Sequence, residues 1–198
     1  MRRTSLSIAA GLTAVLLVSA TPAQAAVSAK DLPKKGDIVK TFPELADAEF
    51  TTFTTKQVTL PGATCGTTRT EKVKGLASIR GMAATGQPFV QSSVTQAKSA
   101  AKVKAYFKAY KGLTKKCGSY TDPTSGATIT TTLAKAPKLG RASLVLKQET
   151  ALAGVTSYST SVFISNGKRM AAVVALDDAA IAGSSINKLA KVAAKKMK

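Results

Sequence analysis

Three strand-like runs, a long helix, four more strand-like runs and a closing helix predict a single domain that mixes β strands with α helices. Two observations carry that prediction. Runs rich in Val, Ile and Thr are punctuated by Gly and Pro, which marks strands and turns. In two Ala- and Lys-rich segments the apolar residues instead recur at helical spacing.

Ahead of these elements, residues 26–54 contain Pro33, Gly36 and Pro43 and read as an approach segment, either packed or a tether, with one helical turn at Pro43-Glu44-Leu45-Ala46. Strands are expected at Lys56–Leu60, Lys72–Gly81 and Gln87–Thr95. The first long helix is expected over Gln96–Cys117. At 100° per residue Val103, Tyr106, Phe107, Tyr110, Leu113 and Cys117 share an arc of about 120°, and Lys104, Lys108, Lys111 and Lys115 lie opposite. Gly118 then stops the helix.

After the turn around Asp122–Gly126, strands are expected at Ala127–Leu133, Arg141–Glu149, Val155–Ser165 and Lys168–Leu176. Asn166-Gly167 between the last two predicts a two-residue type I′ hairpin. The near-continuous apolar run from Met170 predicts a central strand covered on both faces. The second helix is expected over Ser184–Lys196. Ile186, Leu189, Ala190, Val192, Ala193 and Met197 share one side of it, and Lys188, Lys191, Lys195 and Lys198 share the other.

The first 25 residues have the anatomy of an export signal: basic Arg2-Arg3, an apolar stretch from Ile8 to Ala20, and Ala23-Gln24-Ala25 as the cleavage sequence. The expected product begins at Ala26, is released outside the cytoplasmic membrane or held at the cell wall, and carries no lipid, because no cysteine stands at the cut. The whole chain has 29 basic and 10 acidic residues, a net charge of +19. Such a surface keeps a protein soluble and favours anionic surroundings: wall polymer, lipid headgroups or nucleic acid.

Cys65 and Cys117 are the only cysteines. In an exported chain they most economically form one disulfide, worth roughly 4 kcal/mol for a loop of about fifty residues. Cys117 falls on the apolar arc of the first helix, which places Cys65 in the loop after the first strand, beneath that helix. Free thiols or a redox couple are the alternative, without a C-x-x-C to support them.

Histidine is absent, which removes the commonest general base, the usual triads and most zinc sites. The adjacent acids Asp177-Asp178 read as a helix cap or loop rather than a metal site. Ser99 with Lys102, and Ser185 with Lys188, stand three apart, but their lysines face solvent and stay protonated. No phosphate-cradling glycine loop occurs, so no cofactor is expected. With 10 aromatics, three of them on a buried stripe, no base-stacking platform for specific nucleic-acid binding is expected. These exclusions predict a protein that is not an enzyme.

The Ala-rich helix in SVTQAKSAAKVKAYFKAYKGLTKKC, the segment LGRASLVLKQE and the hairpin SVFISNGKRMAAVVAL with its following helix resemble the PknH-like extracellular sensor domain, a family of exported actinobacterial domains, over roughly residues 88–198. The resemblance implies an α+β fold, a twisted, largely antiparallel sheet with two main helices packed on one side, and a cleft for an extracellular ligand. Family members commonly carry two disulfides; this chain can form one. The expected organisation is one sensor-like domain over residues 55–198; the sequence shows no kinase domain or membrane helix after the signal, so a receptor role for this chain itself is not expected. The expected function is a secreted, monomeric, non-enzymatic ligand-binding domain. The competing reading is a basic protein that adheres to anionic wall polymer or lipid through Lys104, Lys108, Lys111 and Lys115; a hydrolase is a distant third. A cleft of about 300 Å³ or more favours the first.

Overall fold

The computed structural model describes residues 27–197. The expected export signal and its cleavage point lie outside the described residues.

The described residues begin with a short helical turn at Ala29–Asp31, helix α1 (Lys35–Val39) and a second turn at Pro43–Leu45. Val27, Leu32, Ile38, Phe42, Leu45 and Ala48 from this stretch are buried in the core, so the segment packs rather than tethers. Eight strands follow: β1 (Glu49–Pro61), β2 (Thr68–Met82), β3 (Phe89–Gln96), β4 (Ser119–Thr121), β5 (Thr128–Ala134), β6 (Ala142–Leu152), β7 (Val155–Asn166) and β8 (Arg169–Asp177). Helix α2 (Ala100–Lys116) joins β3 to β4, and α3 (Gly183–Lys196) closes the chain.

The strands form one sheet in the order β1-β2-β3-β8-β7-β6-β5-β4, antiparallel at every pairing. β8 lies inside it between β3 and β7, as its apolar run predicts. β4 escapes the sequence reading because three residues are too few to show a period. β1 begins well before the expected Lys56: Thr51, Thr52, Thr54 and Thr55 suit an edge strand but break the apolar alternation.

The hairpin between β7 and β8 differs from expectation by one residue. Asn166 pairs with Arg169, so the two-residue loop is Gly167-Lys168. Of these only Gly167 has positive φ, at 62°. A type I′ turn needs positive φ at both central positions; glycine at the first alone suits type II′.

The two long helices do not share a side of the sheet. α2 buries Val103, Tyr106, Phe107 and Tyr110 against Leu144, Leu146, Phe163 and Met170. α3 buries Ile186, Leu189, Ala190 and Ala193 against Val145, Val162, Ile164, Ala171 and Val173. Successive strand residues point to opposite faces, so the interleaved partners on β6, β7 and β8 place the helices on opposite faces. The physical reason is β8 itself: a strand apolar on both sides needs a cover on both.

Two links lock the ends of these layers. Ser99 caps α2 by accepting a hydrogen bond from the Lys102 N–H at 3.3 Å. Arg169 donates to Asp31 and Gln96 at 2.9 Å each and to the Met197 carbonyl at 3.4 Å, which joins the N-terminal segment, the end of β3 and the C-terminus of α3.

Candidate functional site: a trough on one face of the sheet

α2 covers only part of its face. It packs on β1, β5 and β8 and on Leu146 and Phe163 between them, and beyond it the sheet surface is left open as a trough. Residues of β1 and β2 at one flank and of β5 and β6 near the other line the same cavity, so the sheet curls around it. The enclosed part holds about 150 Å³.

Strand register builds the floor row by row. Gln148, Ser159, Leu176 and Phe89 are cross-strand neighbours; the next row is Leu146, Ser161, Val174 and Gln91; the third is Leu144, Phe163, Ala172 and Ser93. Side chains at such positions lie about 4.5–5.5 Å apart. The hollow exists because Ser157, Ser159, Ser161, Ser93 and Ala172 are small where a packed face would carry large apolar residues. At the end under α2 the lining turns apolar, with Val58, Leu60, Leu76, Leu146, Phe163 and Met170. Tyr110 closes this end: its ring stacks on Phe163 with centroids 4.0 Å apart, and its hydroxyl donates to the Thr59 carbonyl at 3.3 Å. Burial pushes the Tyr110 hydroxyl well above its ordinary pKa, so it remains a neutral donor.

Among the described residues no charged side chain lines the enclosed part. Phe89 and Leu176 are shared with a wider basin of about 730 Å³ at the far end of the same face, and there charges appear: Asp47 and Glu49 at the rim, with Arg80 set 5.7 Å from the centre of the Phe53 ring. The enclosed cleft alone falls short of the 300 Å³ expected for a small-ligand site, and the trough exceeds it only with the basin included.

The sequence-predicted residues occupy other places. Cys65 and Cys117 are joined in a disulfide with Cα atoms 5.5 Å apart, fastening the loop between β1 and β2 to the C-terminal end of α2. Lys104, Lys108, Lys111 and Lys115 are exposed on the solvent side of α2, away from the trough, and none makes an ion pair among the described residues. Lys102 instead meets Glu71 at 2.7 Å, with Arg69 adding a second contact at 3.2 Å. The hydrogen bond from Lys102 and, more weakly, that from Arg69 hold the Glu71 carboxyl below its usual pKa despite its partial burial. Burial, reinforced by the Glu71 charge, pushes Tyr106 up to about 12. Asp177 is raised by burial and by neighbouring Asp178, and no cluster of three potential metal ligands occurs among the described residues.

Sequence reasoning missed the trough residues. The signal was present in β7, where Ser157, Ser159 and Ser161 alternate before Phe163. A period of two with serine on one face marks a surface that is not packed.

No protein-family model and no curated protein matches the sequence. Among solved structures, the extracellular domain of PknH from Mycobacterium tuberculosis aligns with 89% of this chain and 97% of its own length, at a TM-score of 0.56 and 10% identity. An uncharacterized Mycobacterium smegmatis protein aligns with 81% of this chain and 96% of its own, at a TM-score of 0.43 and 8% identity. Among the described residues no helix is long and apolar enough to cross a membrane. The chain therefore has the fold of the PknH extracellular domain.

Proposed function

We propose that this protein is a secreted, non-enzymatic binding domain of the cell envelope, sensor-like in architecture, which takes its ligand in the trough beside α2. The observation that carries the reading is a part-apolar, hydroxyl-lined hollow on an otherwise well-packed sheet. Pockets that combine apolar walls with a few oriented polar groups are the usual form of small-molecule sites. The disulfide suits an oxidising compartment, in line with export to the medium or wall. The likeness to an extracellular domain points the same way. Against catalysis stand the missing histidine, the use of Ser99 as a helix cap and the pairing of Lys102 with Glu71.

A second reading has its own support: four exposed lysines on one helix face, without an ion pair among the described residues, suit adhesion to anionic wall polymer. Amide NMR spectra recorded while a solubilised cell-envelope extract is added separate the two. Binding in the trough shifts Ser159, Ser161 and Gln91 and persists at 0.5 M salt, where the Debye length is about 4 Å. Adhesion shifts Lys104, Lys108, Lys111 and Lys115 and disappears there. Shifts confined to the lysine face overturn the trough reading.

A further inference from the structure

We infer that the trough selects an uncharged amphiphile, with a short hydrocarbon end seated under α2 and a polyhydroxyl headgroup lying outward over the serine rows. The inference rests on the trough being the binding site and names the chemistry that fits it.

The charge distribution comes first. The chain carries a net charge of +19, yet among the described residues no Lys, Arg, Asp or Glu lines the enclosed cleft. A buried ion needs a partner of opposite sign or its desolvation goes uncompensated, and this cleft offers none. A carboxylate, sulfate or ammonium group is therefore disfavoured inside it. In the outer basin the acids Asp47 and Glu49 outnumber the single cation Arg80, so an anionic headgroup meets a net negative rim there as well.

Polarity changes along the trough. Under α2 the walls are Leu60, Leu76, Leu146, Phe163 and Met170, with the Tyr110 hydroxyl already committed to Thr59. The enclosed part as a whole holds about 150 Å³, and the apolar end is a share of it, so the hydrocarbon seated there is short. Outward, Ser157, Ser159, Ser161, Gln91 and Ser93 offer hydroxyls and amides that are half-buried. A hydroxyl both donates and accepts, so such a row matches a ligand whose own groups do the same. The basin continues this pattern, because Asp47 and Glu49 accept from ligand hydroxyls and Arg80 donates to them. A ligand of hydrocarbon alone would leave the serine rows unpaired, and a free sugar would leave the apolar end unfilled.

The test uses n-octyl β-glucoside below its micelle concentration, with glucose, n-octyl sulfate and octyltrimethylammonium as comparison probes, each titrated at 0.5 M NaCl and read by amide NMR. Octyl glucoside is expected to shift Ser161, Gln91 and Phe163 at least tenfold more tightly than the other three. Ser161→Leu fills the floor between Leu146 and Val174 and should weaken that binding at least tenfold; Ala172→Leu serves as a second filling variant should the first fail to fold. Equal or tighter seating of either ionic probe in the trough overturns the neutral class while leaving the trough as the site. Glucose binding as tightly as octyl glucoside overturns the hydrocarbon end. Silence of the trough toward all four probes overturns the inference, and silence toward the envelope extract as well overturns the trough itself.

Discussion

Replacing both half-cystines by alanine, Cys65→Ala with Cys117→Ala, removes the crosslink that fastens α2 to the loop between β1 and β2. The two positions are 52 residues apart. For a loop of that length the chain-entropy expression gives about 14 cal/mol/K, or about 4 kcal/mol at 25 °C, as the advantage lost when the unfolded chain is freed. Alanine is chosen because Cys117 is 2% exposed, and a serine hydroxyl left unpaired there would add a separate cost of about 1–3 kcal/mol. The folded state keeps its other anchors, since Val103, Tyr106, Phe107 and Tyr110 still bury the inner side of α2. The assay is urea unfolding followed by circular dichroism. With a slope near 2 kcal/mol/M the midpoint should fall by about 2 M, and the slope should rise because the freed unfolded chain exposes more surface. Reduction of the native protein should move it equally, because it frees the same loop. A shift below about 0.5 M in both experiments would refute the reasoning, by showing that the crosslink does not restrict the unfolded ensemble as its span requires.

Two glycines should respond in opposite directions. Gly112 stands inside α2 with nothing within 4 Å of an added Cβ, so Gly112→Ala should raise stability by about 0.5–1 kcal/mol in the same urea assay. Gly140 has φ +60°, and an added Cβ would lie 2.9 Å from Ile164 Cγ2 and closer still to the Ser165 carbonyl, so Gly140→Ala should cost more than about 2 kcal/mol; a neutral result would show that the approach relaxes freely. Glu71 supplies a pH dependence. Its folded pKa lies below the ordinary 4.5, so its contribution is complete above that value and is lost as pH falls through the depressed one. Lys102→Ala should move the Glu71 titration, followed by carboxyl NMR, back toward 4.5, and an unmoved titration would show that the Lys102 contact is not its main cause.

Much of this protein was legible in the chain because the relevant signals are local. The turn of α2 that carries Tyr106, Phe107 and Tyr110, the lysines opposite it, and the Ala-rich α3 follow from side-chain periodicity within one element. The central place of β8 follows from its unbroken apolar run. The disulfide was legible for another reason: a chain with two cysteines has one possible internal pairing. Other features depend on partners far away in sequence. Gly167-Lys168 became the hairpin loop because the ladder between β7 and β8 extends to Asn166 and Arg169, a choice of register that Asn166-Gly167 could not make alone. Which face each helix covers depends on the path of its connections, and amphipathic patterns on α2 and α3 are equally satisfied by either face. The trough lies furthest from the sequence. Ser157, Ser159 and Ser161 announce a face that is not packed, but whether water, a helix or a ligand lies over it is decided by where α2 ends across the curled sheet. That is a property of eight strands and one helix together, which no single segment encodes.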